Sequence, residues 1–393
     1  MSALNEVTIL ELSERVSGEY CGKLLAEFGA TVIKVEKTGT GSPTRRMGPF
    51  GKDTSGPENS GLFAYLNAGK QSVELNLDSA SDHATLLELL KTVDVLIDDH
   101  GAKWLRQYDL APDSIAERFP GLVFCAITAY GLDADDDRQY AEDLNVFHSS
   151  GLGYHTPSGA ADDLPPLKGA GRFLPSYEAG LDAALCISAT LYERRSSGLG
   201  QLIEISAQEV LASRVDYVLG QMIAGDMDVS PSRHTFDLGG PAGIFPCADG
   251  FAYLWMSAPP HWDALRQLLD NPAWMNSFPE RWMELDCTAE RVAECRKHIT
   301  QWLSTKQKHQ VAEQAQQLGL TLVAVNNAGD LLASPQYQFR DYFSEIEHPV
   351  LGKFHIPTSP YRLSATPIKT NVAPLLGQHQ YSMPNAAQFG EPQ

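Results

Sequence analysis

Apolar and polar positions repeat with two spacings in the first half of the chain, and these spacings predict strands joined by helices. Val7 to Leu12 (VTILEL) and Thr31 to Glu36 (TVIKVE) have the composition of strands, and residues 19–28 between them have helical spacing that ends at Gly29. A strand, a helix and a strand within about thirty residues predict a right-handed βαβ unit in a parallel sheet. Further strands are predicted over residues 93–97, 122–129 and 201–206. The first half therefore predicts a large Rossmann-like α/β domain.

The second half of the chain predicts a smaller α/β domain. Phe251 to Met256 (FAYLWM) and Thr321 to Val325 have strand patterns. Three amphipathic segments with helical spacing lie between them: 261–270, 289–304 and 309–318. We predict the first part of the large domain over 1–215, a linker and the small domain over 216–325, and a return to the large domain over 326–393.

Composition and charge narrow the class of protein. The 393 residues are 43% hydrophobic, which is enough for two domains with their own cores. A net charge of −19 argues against nucleic acid or an anionic membrane as a partner. No apolar run approaches the ~20 residues that a membrane-spanning helix needs, and the first residues do not resemble a secretion signal. The six cysteines are scattered without a CxxC pair, so we expect free thiols, no metal site and a cytoplasmic location.

The turn after the first strand is the first candidate binding site, because parallel sheets bind ligands at the carboxyl ends of their strands. This turn, residues 13–18, reads SERVSG. It lacks the G-x-G-x-x-G pattern of dinucleotide-binding proteins, which disfavours a nicotinamide-dependent oxidoreductase.

Four segments of the sequence resemble one known family along nearly the whole chain. They are LELSERVSGEYCGKLLAEFGATVIKVE, FAYLNAGKQSVELNL, AGLDAALCISATLYERRSSGLGQLIEISAQE and the tail HPVLGKFHIPTSPYRLSATP with APLLGQH. Their patterns resemble those of the family III CoA-transferases. The resemblance implies a Rossmann-like large domain with a parallel sheet, a smaller α/β domain and an interlocked, ring-like dimer. It also implies that CoA moves between carboxylic acids as a substrate, with no covalently bound cofactor.

The resemblance also implies which residues contact CoA. In the opening motifs these are Arg15, Val16, Ser17, Lys37, Leu66, Asn67 and Lys70. After the strand at 93–97 the family usually has an N-F-R-P-G turn that holds CoA, and here the turn begins Asp99-His100. Asp99 would place an anion where an anion should bind, which is unfavourable. We expect Lys103 and Arg106 to compensate in part.

The main departure from the family lies at its nucleophile. The resemblance places a catalytic aspartate four residues before Gly180, and this chain has Ser176 there. A carboxylate can form a mixed anhydride and then a thioester with CoA, whereas a serine ester would keep the acyl group and release the thiol. We therefore predict that Ser176 caps a helix that ends near Arg195. Glu178 is the nearest carboxylate along the helix, but it lies about 200° around the axis from Ser176.

Three functions follow from these observations. The one we favour is the subunit that lacks the nucleophile in a heteromeric CoA-transferase, in which a sister subunit supplies the aspartate. Some family members that act on aryl-substituted succinates resemble this arrangement. The second is a self-sufficient CoA-transferase that uses Glu178 or Glu142, and the third is a non-enzymatic CoA-ester-binding protein. The expected ligands are an acyl-CoA and a carboxylic acid, and the expected partner is a sister subunit or a second copy.

One alternative reaction is disfavoured within the same family. Glu142 and Asp143 stand where the racemases carry a His-Asp pair. Because no histidine is present at that position, the proton shuttle of a racemase is not assembled.

Overall fold

The computed structural model describes residues 2–51, 54–135, 138, 141–155, 171–225, 241–256 and 258–380. These residues form two compact units. One unit contains the described residues up to 225 together with those from 341 onward, and the other contains those from 241 to 340. The return to the first unit thus begins at Asp341, whereas the sequence pattern placed it at residue 326. In the part of the chain that is described, no helix is long and apolar enough to cross a membrane.

A six-stranded sheet forms the centre of the first unit. Its strands are β1 (Thr8–Glu11), β2 (Thr31–Lys37), β3 (Gln71–Leu75), β4 (Val95–Asp98), β5 (Val123–Thr128) and β6 (Leu202–Ser206). They lie in the order β3-β2-β1-β4-β5-β6, and every neighbouring pair is parallel. The predicted parallel sheet is confirmed. The strand order reverses between β1 and β4, and open α/β sheets bind ligands at such a switch point.

Helices cover the sheet of the first unit. They are α1 (Val16–Glu27), α2 (Gly61–Leu66), α3 (Ala80–Leu90), α4 (Ala102–Gln107), α5 (Pro112–Arg118), α6 (Asp143–Ser149), α7 (Leu152–His155), α8 (Leu174–Ser197), α9 (Ala207–Ala212) and α10 (Asp216–Ala224). A short 3₁₀ helix spans Pro43–Arg46. Helices α1 and α8 pack on one face, where Leu25 and Ile187 share a core with Ile9 of β1. A Cβ atom at Gly180 would lie 2.5 Å from the backbone oxygen of Ser17, so glycine allows α8 to approach the first turn of α1.

Helix α8 corrects the predicted role of Ser176. The helix begins at Leu174 and Phe173 is its N-cap residue, so Ser176 lies within the first turn and is not the cap. The helix continues past Arg195 to Ser197, and Gly198 then turns the chain with a φ of 73°. Glycine can end α8 in this way because it adopts the left-handed backbone conformation without a steric cost.

The second unit is a smaller α/β structure, as the sequence predicts. Its antiparallel sheet contains β7 (Gly243–Cys247), β8 (Gly250–Trp255) and β9 (Thr321–Val325). Its helices are α11 (Pro259–Leu268), α12 (Trp282–Leu285), α13 (Ala289–Leu303), α14 (Lys308–Gln317), α15 (Ala328–Ala333) and α16 (Pro335–Phe339). Trp262 and Trp282 are buried at its centre, with ring centroids 5.2 Å apart. The chain then forms a hairpin of β10 (Phe343–His348) and β11 (Gly352–Pro357) in the first unit.

Candidate active site

Asp99 organises the turn between β1 and α1. Its carboxylate accepts hydrogen bonds from the backbone N–H groups of Glu14 (2.9 Å), Arg15 (3.0 Å) and Gly18 (3.2 Å). An anion at the start of a helix is favourable, because the first N–H groups have no partner within the helix. Burial raises the pKa of Asp99 to about 6. Asp99 is only 3% exposed and its carboxylate is bound to the backbone of the first turn, and its predicted contact with CoA stays a prediction.

His100 adds a positive charge next to this turn. Its Nδ1 lies 2.7 Å from Asp98 Oδ1, and its Nε2 lies 3.6 Å from Glu14 Oε2. Burial alone would lower the pKa of His100, but the Asp98 and Glu14 carboxylates raise it to about 10. The ring stacks on Trp104 with centroids 3.8 Å apart. A protonated imidazole is therefore fixed at the carboxyl end of β4.

A cavity of about 320 Å³ opens at the switch point of the sheet. It is lined by Glu14, Arg15, Val16, Pro43, Met47, His100, Trp104, Ala141, Glu142, Asp143, Phe173 and Ser176. A smaller pocket of about 40 Å³ shares Arg15, His100, Ala141, Asp143 and Ser176 with it and adds Ser17 and Asp99. The structure therefore brings the first-turn residues selected from the sequence into the same cavities as Ser176.

Asp143 lines both cavities and is in direct contact with Ser176. The Ser176 Oγ donates a hydrogen bond to the carboxylate, 2.8 Å from Oδ1 and 3.0 Å from Oδ2. Burial raises the pKa of Asp143 to about 6; the Ser176 hydroxyl opposes this shift, and the Glu142 charge adds to it. Asp143 is not among the residues that the sequence pattern predicts for the site. The one indication of Asp143 in the sequence was that Glu142 and Asp143 stand where the racemases of the family are expected to carry a His-Asp pair.

The two glutamates predicted as replacement nucleophiles lie in different surroundings. Glu178 Oε2 accepts a hydrogen bond from Arg214 at 3.2 Å, and the same guanidinium binds Asp182 at 2.7 Å. Glu178 lines neither cavity beside Ser176, in agreement with its expected rotation around the helix. Glu142 lines the larger cavity, but its side chain caps α6 in a reciprocal pair with Asn145.

The residues of the LNAGK motif lie in the protein interior. The Lys70 ammonium donates to Glu11 Oε2 (2.7 Å), the Glu19 backbone oxygen (2.7 Å) and Asn67 Oδ1 (3.0 Å). The Lys70 and Glu11 side chains are fully buried, and so are Leu66 and Asn67. The structure therefore places Leu66, Asn67 and Lys70 in the interior of the unliganded chain, and their predicted contacts with CoA stay a prediction.

The other predicted cations lie nearer the surface. Lys37 is exposed at the end of β2 and lines a separate cavity of about 160 Å³ together with His100 and Trp104. Lys103 and Arg106 are exposed on α4, and they line neither this cavity nor the two beside Ser176.

No metal site is evident in the described ranges, where no group of three or more His, Cys, Asp or Glu side chains could hold an ion. All six cysteines fall within these ranges and have free thiols.

The sheet order and the position of the cavity define a Rossmann-like α/β protein with a cavity at the switch point of its sheet, lined by both charged and apolar side chains. Comparison with known proteins identifies the family. The model of CoA-transferase family III matches residues 4–380, and the chain belongs to this family.

Curated relatives and a solved structure agree with this assignment. A succinyl-CoA:mesaconate CoA-transferase from Haloarcula marismortui is 26% identical over 384 residues, which cover 97% of this chain and 95% of the relative. A formyl-CoA:oxalate CoA-transferase from Afipia carboxidovorans is 28% identical over 400 residues, covering 96% and 92%. A CAIB/BAIF family protein from Brucella suis has the same fold, with a TM-score of 0.80 and 20% identity over 97% of this chain and 98% of its own. The protein is thus an enzyme of the CoA-transferase class.

Proposed function

We propose that this protein transfers CoA from an acyl-CoA to a carboxylic acid in the cavity beside Ser176. The observation that carries the proposal is the Ser176–Asp143 contact of 2.8 Å within a cavity at the switch point. CoA would act as a substrate, with no covalently bound cofactor. The relatives are named for CoA transfer between two acids, which supports this reaction class for the present chain. The free thiols are compatible with a reducing cytoplasm.

The charges around the cavity suit a carboxylic acid as the second substrate. The chain carries a net charge of −19, so its average field repels anions. Arg15 and protonated His100 line the cavity together with the carboxylates of Glu14, Glu142 and Asp143, so these two cations are the groups in the lining that could bind a substrate carboxylate. Lys37 lies at the neighbouring cavity, where it remains the best-placed of the predicted cations for a CoA phosphate.

A second candidate is the subunit without a nucleophile in a heteromeric CoA-transferase. Ser176 stands at the position of the family aspartate, and Glu178 is engaged by Arg214. The exposed side of α8 also carries large apolar side chains, with Leu185 67% exposed and Tyr192 77% exposed. An exposed apolar face favours association with another subunit, either a sister chain or a second copy in an interlocked dimer.

The two candidates are separated by assaying the purified chain alone. The chain would be incubated with succinyl-CoA and mesaconate or oxalate, and the new CoA thioester would be measured by chromatography. Product from the isolated chain supports transfer by this chain itself. Product that requires co-expression with a sister chain supports the heteromer. Calorimetric binding of succinyl-CoA without exchange in either preparation would instead indicate a CoA-ester-binding protein, and an absence of binding contradicts the proposed function.

A further inference from the structure

We propose that Asp143 supplies the nucleophilic carboxylate that the Ser176 position lacks, an inference that rests on the proposed function. Both carboxylate oxygens of Asp143 lie within 3.0 Å of the Ser176 Oγ. A side chain on α6 therefore reaches the same point of the cavity as a side chain on the first turn of α8. The family's nucleophile position and Asp143 are 33 residues apart in sequence, but they share one site.

The surrounding structure fixes the Asp143 carboxylate. Asp143 is the first residue of α6, and the next turn of this helix is anchored by Val146 and Phe147, which are buried. The Ser176 hydroxyl donates to the carboxylate. On the other side, Arg15 lines the same cavity and donates from Nη1 to the Ala141 backbone oxygen at 3.1 Å. The Ser176 backbone N–H group also binds this carboxylate. A carboxylate held from the Ser176 side and facing an open cavity keeps lone pairs available for attack.

The geometry also separates Asp143 from the neighbouring carboxylates. The Glu142 side chain accepts the backbone N–H group of Asn145 in the cap of α6. Glu178 is held by Arg214 outside both cavities. Asp99 is enclosed by three backbone N–H groups of the first turn. Of the carboxylates considered for the site, Asp143 combines a position in both cavities with a hydrogen bond to Ser176.

The reaction balances without a further reagent. An Asp143 oxygen attacks the thioester carbonyl carbon, the C–S bond breaks, and the CoA thiolate leaves a mixed anhydride on Asp143. The thiolate then attacks Cγ of Asp143, which releases the donor acid as a carboxylate and forms an aspartyl thioester. The acceptor carboxylate attacks the same Cγ and expels the thiolate, giving a second anhydride. The thiolate attacks the acceptor carbonyl of this anhydride, which forms the new acyl-CoA and restores the Asp143 carboxylate.

The experiment traps the acyl or thioester intermediate on the enzyme. Full-length protein would be mixed with succinyl-CoA, quenched with hydroxylamine and mapped by peptide mass spectrometry. We expect a hydroxamate on Asp143 in the wild type and complete loss of the label in Asp143→Asn. Asp182→Asn is the matched control, because Asp182 lies on α8, binds Arg214 and lines neither cavity. It should be labelled like the wild type.

A double variant separates failure of this inference from failure of the proposed function. Ser176→Asp combined with Asp143→Asn returns a carboxylate to the position of the family nucleophile and leaves an amide beside it. A label at residue 176 in this variant, with none on Asp143 in the wild type, overturns the Asp143 assignment but leaves the cavity competent for CoA transfer. A label on Glu142 or Glu178 also overturns it, as does calorimetric binding of succinyl-CoA with no label. If no variant is labelled and succinyl-CoA does not bind, the proposed function fails as well.

Discussion

Lys34 binds two buried carboxylates beneath the turn that follows β1, and replacing it with methionine should strongly destabilise the first unit. Its Nζ lies 3.0 Å from Glu11 Oε1, 2.9 Å from Glu19 Oε1 and 2.7 Å from the Ser13 backbone oxygen. All three charged side chains are fully buried. Burial alone would lower the pKa of Lys34, but Glu19 and Glu11 raise it well above its ordinary value. Lys34 is therefore charged at neutral pH.

The cost of the substitution follows from the charges that it leaves behind. Methionine has a similar length but removes the positive charge that lies beside the Glu19 carboxylate, and it leaves Glu11 with Lys70 as its remaining ion-pair partner among the described contacts. Removing one partner of a buried ion pair typically costs about 3–5 kcal/mol. Lys91→Met is a matched control, because Lys91 lies 2.6 Å from Glu88 with both side chains well exposed. An exposed pair contributes only about 0.2–1 kcal/mol.

Hydrogen exchange measured by mass spectrometry can detect this difference. Peptides from residues 8–37 report on the first unit, and peptides from residues 251–325 report on the second unit in the same sample. A loss of 3–5 kcal/mol accelerates exchange of the most protected amides by roughly two to four orders of magnitude, because each 1.4 kcal/mol is a factor of ten. Lys34→Met should produce this acceleration in residues 8–37, and Lys91→Met should change exchange by less than about tenfold.

The reasoning would be refuted if Lys34→Met and Lys91→Met gave the same exchange in residues 8–37. A further variant tests the mechanism. Adding Glu19→Gln to Lys34→Met removes a buried carboxylate that has lost Lys34, so it should recover part of the lost protection. If the double variant is less protected than Lys34→Met alone, the buried charge is not the cause.

Three further predictions concern the site and its support. Ser176→Ala removes the hydroxyl that favours the ionised form of Asp143, while the Glu142 and Arg15 charges stay in place. The pH midpoint for hydroxamate labelling of Asp143 should therefore move above about 6. An unchanged or lower midpoint contradicts this role of the hydroxyl. Gly180→Ala should lower the melting temperature because its Cβ would lie 2.5 Å from a backbone oxygen of α1. Gly220→Ala in α10 should raise it slightly, because among the described residues a Cβ there meets no atom within 4 Å apart from the helix's own backbone; equal shifts would count against close packing. The carboxylates around His100 raise its pKa to about 10, so protonation of His100 stabilises the folded state. This contribution is complete below pH 6.5, the ordinary pKa of histidine, and it is lost as the pH rises through about 10. The difference in unfolding free energy between wild type and His100→Gln, measured by urea unfolding, should therefore shrink from pH 6.5 to pH 10.

The residue pattern along the chain predicts the class of fold, and its motifs resemble the family that the comparisons then identify. Strand and helix spacing predicts the βαβ start of a parallel sheet, because side chains alternate with a period of two in strands and 3.6 in helices. The structure confirms this sheet and extends it to six strands. The motifs also predict that Ser176 stands at the position of the family nucleophile, because this prediction depends only on spacing along one helix.

Only the tertiary structure decided which polar residues build the interior and which build the site. Glu11 and Lys34 become partners because they lie opposite each other on neighbouring strands, and Lys70 joins them from a distant turn. The spacing of residues along the chain predicts which side chains share a face of one helix or strand. It does not predict which polar side chains from different elements come into contact in the folded sheet. For the same reason the Ser176–Asp143 contact could not be predicted. This contact forms because the first turns of α6 and α8 meet near the carboxyl ends of the strands, at the point between β1 and β4 where the strand order reverses.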